Sequence, residues 1–373
     1  MQFIDLPRQY GLISDKIEAA ISEVLSGGQY IMGEAVHLLE KELEDFLKVR
    51  HAICCANGTD ALTLALMATG CEPGDFVIVP AFTYVASAEA AAQLGATPVF
   101  VDVNEADFNI NLDVIEEAIQ KTKVKGRVQS VIAVDLFGQP CFSSELEEIC
   151  RRNDVVLIID AAQSLGSEIL GKKTGNFGTI ATTSFFPAKP LGCYGDGGAV
   201  FTNDDELAVL LKSLRTHGTG SHKYEHVHIG LNSRLDTVQA AVLREKLKIF
   251  PKEMIERQKV AALYTELLSK DVIVPSVEAN KVSAWAQYTI RTKGRSDLQR
   301  WLKQSGIPSA VYYPIPLNEQ EAYSKFPSFG PLTISKNLSE EVLSLPMHPY
   351  LEEEQIKFIC DQIVEFSRQN ESF

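Results

Sequence analysis

The sequence predicts an α/β protein with a large three-layer domain built on a mostly parallel sheet, followed by a smaller α+β domain. Short apolar runs alternate with helical patterns through the first two-thirds of the chain, as they do where helices cover both faces of a parallel sheet. The run Val155–Ile159 contains only Val, Leu and Ile, which is typical of a strand buried on both faces. Near residue 245 the alternation gives way to a long segment rich in Lys and Glu. We therefore expect an N-terminal arm and the large domain over residues 1–245, and the small domain over residues 246–373.

The elements of the large domain follow from this alternation in chain order. The predicted strands are His51–Ala56, Phe76–Val79, Pro98–Val101, Ser130–Val134 and Val155–Ile159. A helical pattern follows each of the first four, over Asp60–Ala68, Ser87–Leu94, Leu112–Lys121 and Ser143–Asn153. Pro80, Glu89, Gly95 and Pro98 interrupt the apolar stretch 76–101, so this stretch indicates buried α/β structure and not a membrane span.

The two ends of the chain show other patterns. The first 25 residues are expected to form an arm and a helix. In the small domain the sequence predicts a long helix over Arg244–Leu268, strands over Val272–Val274 and Gln287–Thr292, and a helix over Leu298–Gln304.

The charge and the cysteine count restrict the classes of function. The 373 residues carry 35 Lys and Arg against 49 Asp and Glu, a formal net charge of −14, whereas a nucleic-acid or anionic-membrane surface needs clustered cations. The N-terminus lacks the basic and apolar regions of a secretory signal. The seven cysteines form no CxxC motif, so we expect reduced, mostly buried thiols in a cytoplasmic protein.

The first candidate site follows the strand His51–Ala56. Ligands of open parallel sheets bind at the carboxyl ends of the strands, and here the chain reads Asn57-Gly58-Thr59-Asp60 before a helix. A glycine turn with exposed N–H groups, a hydroxyl and a helix N-terminus would bind an anion. Taken alone, this segment is better explained as an ordinary helix cap and turn.

Two further segments carry chemistry. Asp160 closes a fully apolar strand, and such a buried carboxylate needs a cation or a strong donor; a protonated pyridine nitrogen would serve, with Gln163 one helical turn further on. Lys189 follows Ser184 by five residues among aromatic residues and prolines, where desolvation lowers an amine pKa and makes it a nucleophile for a Schiff base. Taken singly, each again has a structural explanation, as a helix cap or as a surface lysine.

Together the three segments follow the order of a pyridoxal phosphate enzyme: a phosphate cup, a pyridine partner and a Schiff-base lysine. The pieces Cys55–Asp60, Asp160–Ser164, Ser184–Ala199 and Gly230–Ala240 resemble the DegT/DnrJ/StrS family of nucleotide-sugar aminotransferases over nearly the whole chain. This resemblance implies the fold of aspartate aminotransferase (fold type I of the pyridoxal phosphate enzymes).

The resemblance also implies roles for particular residues. Lys189 is the expected Schiff-base lysine and proton carrier, Asp160 the partner of the pyridine nitrogen, and Gln163 the neighbour of the phenolic oxygen. Tyr84 matches the aromatic residue that stacks on the ring. The phosphate and cofactor cup corresponds to Gly58, Thr59, Asp60 and Ser184. Asn232 matches the residue that reaches the phosphate from the other subunit, which implies an obligate homodimer with a shared active site.

The substrate implied by the family is a ketosugar linked to a nucleoside diphosphate, with L-glutamate as the expected amino donor. The run Phe185–Gly198 resembles a subgroup that makes UDP-2-acetamido-3-amino-2,3-dideoxyglucuronate from its 3-keto precursor, for cell-surface polysaccharide such as the O-antigen of lipopolysaccharide. Arg234 is expected to pair with the sugar carboxylate or the diphosphate, while Tyr312 and Tyr313 match the substrate wall. Relatives often carry His at the position of Tyr312, so a contact with the diphosphate there is expected to differ.

Several alternatives stay open at this point. The acceptor could be a 3-keto or 4-keto-6-deoxy nucleotide sugar, or the chain could be a dehydratase or regulatory protein of the same fold. Gly166–Lys173 matches most of a nucleotide-binding Walker A pattern, but Lys173 replaces its Ser or Thr, and Ile169-Leu170 suggests a hairpin strand. His222, His226 and His228 lie within seven residues without further metal-ligand motifs, so we expect a polar loop and no metal.

Overall fold

A seven-stranded sheet organises the fold. The structure, a computed structural model, describes residues 1–222 and 224–370. Its helices are α1 (Leu6–Gly27), α2 (Glu34–Leu47), α3 (Gly58–Ala68), α4 (Ala86–Gln93), α5 (Leu112–Lys123), α6 (Ser144–Arg152), α7 (Asp205–Leu214), α8 (Thr237–Leu268), α9 (Arg295–Gln304), α10 (Thr333–Glu341) and α11 (Glu353–Asn370). Its strands are β1 (His51–Cys55), β2 (Phe76–Pro80), β3 (Thr97–Val101), β4 (Val128–Val134), β5 (Val156–Asp160), β6 (Glu168–Ile169), β7 (Lys172–Lys173), β8 (Ile180–Ser184), β9 (Gly198–Thr202), β10 (Lys281–Val282), β11 (Tyr288–Arg291) and β12 (Val342–Leu345).

The strand order confirms the predicted mostly parallel sheet. In the described part of the chain the order is β1-β9-β8-β5-β4-β2-β3. The strands β8, β5, β4, β2 and β3 pair in parallel, whereas β9 runs antiparallel to both of its neighbours, β1 and β8. Because β5 lies at the centre between β4 and β8, its apolar side chains are covered on both faces.

The two faces of this sheet bury separate apolar cores, which gives the three predicted layers. Along β1, Ala52 and Cys54 belong to one core, and Ile53 and Cys55 to the other, as the alternation of side chains along a strand requires. Helices α2, α5 and α6 cover the first face, and α3, α4 and α7 cover the second. This arrangement leaves the carboxyl ends of the parallel strands free to build a site at one edge.

The long helix α8 connects the two predicted domains. Its first turns place Leu243 and Leu247 in the core of the large sheet, and its last turns place Val260 and Tyr264 in a third core with the antiparallel pair β11–β12. Pro251 lies between these two halves. The predicted boundary at residue 245 falls inside this helix, and the division into 1–245 and 246–373 stays a prediction.

The other predicted elements agree with the structure to within three residues at their ends, except that α8 begins at Thr237, seven residues before the predicted start at Arg244. The predictions also omitted α2, α7, α10, α11, β10 and β12. The strand predicted over Val272–Val274 is wrong, because only an isolated bridge between Ile273 and Arg291 forms there. The strands β8 and β9 were not predicted, since Thr182, Thr183 and Ser184 make β8 polar and β9 begins in a glycine-rich loop.

Two further findings concern the surface and the thiols. No helix in residues 1–222 and 224–370 has both the length and the apolar character needed to cross a membrane. All seven cysteines lie among the described residues as free thiols, and Cys71 is the one that is not fully buried.

Candidate active site

A cavity of about 450 Å³ lies at the carboxyl ends of the central strands and contains most of the predicted site residues. The predicted residues that line it are Gly58, Thr59, Tyr84, Asp160, Gln163, Ser184, Lys189, Tyr312 and Tyr313. Asp60, Asn232 and Arg234 are not among its lining residues in the described chain. The sheet topology therefore brings together segments that are up to 255 residues apart, from Gly58 to Tyr313.

The turn between β1 and α3 is shaped as an anion cup. Asn57 caps α3, with its Oδ1 accepting the Asp60 N–H at 2.8 Å, and the first N–H groups of a helix have no intrahelical partners. A Cβ on Gly58 would lie 2.7 Å from the Ser184 Cβ, so only glycine allows this approach. The Ser184 Oγ accepts the Phe186 N–H at 3.2 Å, which leaves the hydroxyl proton free to donate into the cup.

Asp160 lies at the end of β5 and is almost fully buried. Its Oδ1 accepts the Ala162 N–H at 3.1 Å, and its Oδ2 accepts the Ser87 hydroxyl at 3.4 Å. Burial raises the pKa of Asp160, against the opposing effects of the Ala162 N–H and the nearby Lys189. A cationic partner in the cavity would favour its charged form.

Lys189 projects into the same cavity from the loop between β8 and β9. Burial of its amine lowers the pKa of Lys189, and the attraction of Asp160 opposes this shift. The loop is fastened at its ends, where the Phe185 N–H donates to the Gly197 oxygen at 2.7 Å. At its middle, the buried Lys246 Nζ donates to the Gly192 oxygen at 2.7 Å. The amine is therefore held in place and biased toward its neutral, nucleophilic form.

The orientation of the Gln163 amide is fixed by its neighbours. Its Oε1 accepts the Phe137 N–H at 2.6 Å, and its Nε2 donates to the Tyr313 hydroxyl at 3.2 Å. Burial raises the pKa of Tyr313 well above its usual range, so this phenol stays neutral. A donor at Gln163 thus faces the cavity beside a protonated phenol.

An aromatic group forms one wall of the cavity. Tyr84 is 55% exposed, and its ring lies 6.1 Å from that of Tyr313, which in turn contacts Phe82 edge-on at 6.3 Å. Tyr312 packs against Phe3 of the N-terminal arm at 6.4 Å. An exposed flat ring over a polar cavity floor suits stacking against a planar ligand.

The predicted residues that the cavity lacks lie near its rim. Asn232 is exposed, and Arg234 donates a hydrogen bond to its Oδ1. Between them, the buried Ser233 Oγ accepts the Ala56 N–H at 3.1 Å, which fixes this segment beside the anion cup. Asp60 lies in the first turn of α3. The roles given to these three residues stay predictions.

Three polar residues in or beside the cavity were not identified from the sequence. Ser87 lies behind the cavity wall, where its hydroxyl donates to Asp160; it is on a helix after a different strand, and its position after Tyr84 was the available signal. Thr83 and Gln287 line the cavity, and each has a buried side-chain oxygen without a hydrogen-bond partner among the described residues. Gln287 precedes β11, far along the chain, and no local pattern marks it.

The structure also shows the two segments that suggested other functions, the Walker-like segment and the histidine segment. The Walker-like segment is an antiparallel hairpin of β6 and β7, as its apolar residues indicated, and lacks the helix that a phosphate loop needs. The histidine segment contains a bridge between Thr219 and His226, while Lys223 within it lies outside the described residues. No cluster of three or more metal-ligating side chains occurs in the described part of the chain.

The cavity residues fit pyridoxal phosphate. The cup at Gly58, Thr59 and Ser184 offers N–H and hydroxyl donors where a Cβ would block the space, which suits a phosphate. The buried Asp160 suits a protonated ring nitrogen, and the Gln163 Nε2 suits the phenolic oxygen. The amine of Lys189 lies in the same cavity, so each polar group of the cofactor has a complementary partner.

Comparison with known proteins gives full-length matches. The model of the DegT/DnrJ/EryC1/StrS aminotransferase family matches residues 12–364. The chain is 48% identical to the UDP-2-acetamido-2-deoxy-3-oxo-D-glucuronate aminotransferase of Pseudomonas aeruginosa, over 96% of this chain and 98% of that protein. It is 41% identical to the pleiotropic regulatory protein of Geobacillus stearothermophilus, over 98% of both. It is 38% identical to the UDP-N-acetyl-3-dehydro-alpha-D-glucosamine 3-aminotransferase of Acidithiobacillus ferrooxidans, over 96% of both.

Solved structures agree with these matches. A DegT/DnrJ/EryC1/StrS aminotransferase from Brucella abortus superposes with a TM-score of 0.97 at 47% identity, covering 98% of this chain and 99% of that one. NtdA from Bacillus subtilis, solved with bound pyridoxamine phosphate, superposes with a TM-score of 0.87 at 28% identity, covering 95% and 82%. The chain therefore belongs to the DegT/DnrJ/EryC1/StrS family of pyridoxal phosphate-dependent aminotransferases, with the fold predicted from its sequence.

Proposed function

We propose that this protein transfers an amino group from L-glutamate to carbon 3 of UDP-2-acetamido-2-deoxy-3-oxo-D-glucuronate. The observation that carries the chemistry is the pair of the partly buried Lys189 and the buried Asp160 in one cavity, with the pKa of the lysine lowered and that of the acid raised. The observation that supports the substrate is the 48% identity with a relative of that name.

Bound pyridoxal phosphate supplies an electron sink for the negative charge that develops at the substrate carbon. Gly58, Thr59 and Ser184 would hold its phosphate, Asp160 its ring nitrogen and Gln163 its phenolic oxygen. Tyr84 would cover one face of the ring. Lys189 would carry a proton between the two carbon atoms on either side of the transferred nitrogen, and the lowered pKa of its amine favours this role.

The names of several relatives support carbon 3 as the site of amination. Besides the two UDP-sugar aminotransferases, the chain is 36% and 37% identical to enzymes named for dTDP-3-amino sugars, from Streptomyces venezuelae and Aneurinibacillus thermoaerophilus. A 3-keto or 4-keto-6-deoxy acceptor is the broader alternative, and a GDP-perosamine synthase at 34% identity belongs to this wider group of relatives.

We further propose a homodimer that completes the active site. Asn232 and Arg234 lie at the rim and not in the cavity of their own chain, which suits side chains that reach the cofactor phosphate and the substrate carboxylate of a partner. The product would serve cell-surface polysaccharide such as O-antigen. The cytoplasmic location stays a prediction.

A half-reaction panel tests the substrate. The pyridoxamine form of the enzyme is mixed with UDP- and dTDP-linked 3-keto and 4-keto sugars, with and without the carboxylate, while the near-visible absorbance of the pyridoxal form is followed. We expect the UDP-linked 3-keto uronate to restore this absorbance fastest. Faster recovery with a 4-keto-6-deoxy sugar would contradict the proposed acceptor.

A regulatory role without catalysis is the second candidate, and the relative named a pleiotropic regulatory protein, at 41% identity, favours it. Purified protein decides between the two. An enzyme shows a near-visible absorbance band that borohydride removes, and it consumes glutamate in the presence of a keto sugar. A regulatory protein would leave the keto sugar unchanged over many protein equivalents.

A further inference from the structure

The amide of Gln287 is a polar group in the cavity wall that neither the fold nor the cofactor uses. Its Oε1 is buried, and among the described residues neither end of the amide has a hydrogen-bond partner. Gln287 nevertheless lines the cavity that holds Asp160 and Lys189. A buried polar atom that lacks a partner is unfavourable by about 1–3 kcal/mol, so a partner from the ligand would be stabilising.

The position of Gln287 is fixed relative to Gln163. The Gln287 N–H donates to the Phe137 oxygen at 3.5 Å, and the Phe137 N–H donates to the Gln163 Oε1 at 2.6 Å. Gly138, with φ of 98°, packs so closely that a Cβ there would lie 2.7 Å from the Trp285 nitrogen and 3.1 Å from the Gln163 oxygen. The two glutamines therefore lie on one rigid wall, on either side of Phe137.

The polar groups assigned to the ring of the cofactor already have partners in the protein. The Gln163 amide binds Phe137 and Tyr313 at its two ends, and Asp160 and Ser184 accept hydrogen bonds from the protein. In the arrangement proposed above, the phosphate, the ring nitrogen and the phenolic oxygen of the cofactor are assigned to Gly58, Thr59, Ser184, Asp160 and Gln163. Two lining residues with a buried, unpartnered oxygen, Thr83 and Gln287, are left for the substrate, and of these only Gln287 carries an amide.

We infer that the Gln287 amide binds the 2-acetamido group of the sugar acceptor, an inference that rests on the proposed function. An acetamido group, whose N–H and C=O point in opposite directions, can pair with one end of this amide, either as an N–H that donates to Oε1 or as a carbonyl oxygen that accepts from Nε2. A 2-hydroxyl lacks the carbonyl and extends less far from the sugar ring. The acetamido group of the proposed acceptor is attached to carbon 2, next to the carbon that receives the amine. Gln287 thus selects 2-acetamido sugars over 2-hydroxy sugars.

The test compares two ligands that differ in this group alone. Binding of UDP-N-acetylglucosamine and of UDP-glucose to the pyridoxamine form of the holoenzyme is measured by calorimetry. We expect the wild type to prefer the acetamido sugar, and Gln287→Met to lower this preference about tenfold, the effect of one lost hydrogen bond that leaves a polar group of the ligand unpaired. The affinity for UDP-glucose should change less than about twofold. Gln287→Glu keeps the shape of the side chain and an acceptor oxygen, so its preference for the acetamido sugar should lie between those of the wild type and of Gln287→Met.

Gln129→Met is the matched control. Gln129 is also a buried glutamine with an unpartnered Oε1, but it does not line the cavity in the described structure, so the preference should be unchanged. Equal weakening of both ligands by Gln287→Met, with an intact cofactor absorbance, would show a structural role and overturn the inference. An unchanged preference would also overturn it while leaving the proposed function standing. If the wild type binds neither ligand, the proposed acceptor fails as well.

Discussion

At the scale of single residues, Lys189 and Asp160 respond to burial in opposite directions. Burial disfavours the charged form of each, so the amine pKa falls and the carboxyl pKa rises. Their mutual attraction opposes both shifts without removing them. A cationic ring nitrogen would stabilise the Asp160 carboxylate, and the lysine would keep a free electron pair. A transaminase needs this combination of a charged carboxylate and a neutral amine before its substrate binds.

Lys189→Ala tests the role of the lysine amine as nucleophile and proton carrier. We expect activity below about 1% of the wild type, because no other amine among the described cavity residues can act as nucleophile and proton carrier. The phosphate cup is intact in this variant, so bound pyridoxamine phosphate should remain detectable by its absorbance. Steady-state assays and cofactor spectra measure both. Activity of more than a few per cent would defeat the assignment.

Asp160→Asn tests the role of the carboxylate as partner of the ring nitrogen. A neutral amide cannot stabilise a protonated ring nitrogen, so we expect the rate to fall by about 10²- to 10³-fold or more, with little change in the circular dichroism of the fold. The cofactor absorbance should also respond differently to pH. Near-normal transamination would mean that Asp160 only caps the turn that follows β5.

The sequence pointed to residues that line the cavity where the signal was local. Asp160 ends β5 and Gly58 lies just after β1, both line the cavity, and strand ends are where ligands bind. Ser87 and Gln287 became visible only in the fold, because their neighbours Asp160 and Phe137 lie 73 and 150 residues away. A single sequence contains no pattern that links such positions.

At the scale of elements, the strands β8 and β9 were not predicted because β8 is rich in hydroxyl side chains and β9 begins in a glycine-rich loop. β8 contains Thr182 and Thr183, yet it is buried between β5 and β9. The Thr183 hydroxyl donates to the Ala161 oxygen at 3.1 Å. A backbone carbonyl just after β5 thus provides the hydrogen bond that this buried hydroxyl needs. Burial of hydroxyls in this manner depends on strand pairing, which the sequence pattern does not report.

A second feature at this scale is the buried ring of His348, which lies where α8, the N-terminal segment and the segment before α11 meet. The ring is 3% exposed and lies near Arg257 of α8, with Asp5 and Arg8 of the N-terminal segment also acting on it. Its Nδ1 accepts the Tyr350 N–H at 3.3 Å. Burial, with Arg257 as a further cause, lowers the pKa of His348 to about 4, so the folded protein holds this ring neutral. His348 is not among the described residues that line the cavity, so its effect is on stability and not on the site.

This shift predicts acid sensitivity. Between pH 6.5 and about 4 the unfolded chain binds a proton at His348 that the folded chain excludes, so the free energy of unfolding should fall as the pH falls. From pH 7 to pH 5 the contribution of this residue is about 2 kcal/mol. Urea unfolding of the wild type and of His348→Phe across this range measures it. We expect the variant to lose less stability on acidification, and an identical loss would contradict the role of His348.

At the scale of the whole molecule, the charges of the cavity do not match its proposed ligands. Lys189 is the one cationic side chain among the cavity residues of the described chain, beside the acidic Asp160 and Asp196. The anion cup supplies donors for the cofactor phosphate, but the diphosphate and the sugar carboxylate of the substrate need positive partners. Arg234 lies on the segment that Ser233 fastens beside the anion cup, but outside the cavity of its own chain. A second copy placing its Arg234 at this cavity would supply the missing charge.

Mixed dimers of inactive variants test this arrangement. Arg234→Ala should lose about 2–4 kcal/mol of transition-state stabilisation on a uronate substrate, as expected when a desolvated charge loses its partner, and Lys189→Ala should be inactive. If each site combines Lys189 of one chain with Arg234 of the other, a mixed dimer has one intact site and one doubly altered site. Random reassembly of equal amounts should then recover about a quarter of the wild-type activity. Lys189→Ala mixed with Asp160→Asn is the control, because both residues line the cavity of a single chain and no intact site can form. Recovery in the control as well, or in neither mixture, would place Arg234 outside the partner's site and remove the main reason for a shared active site.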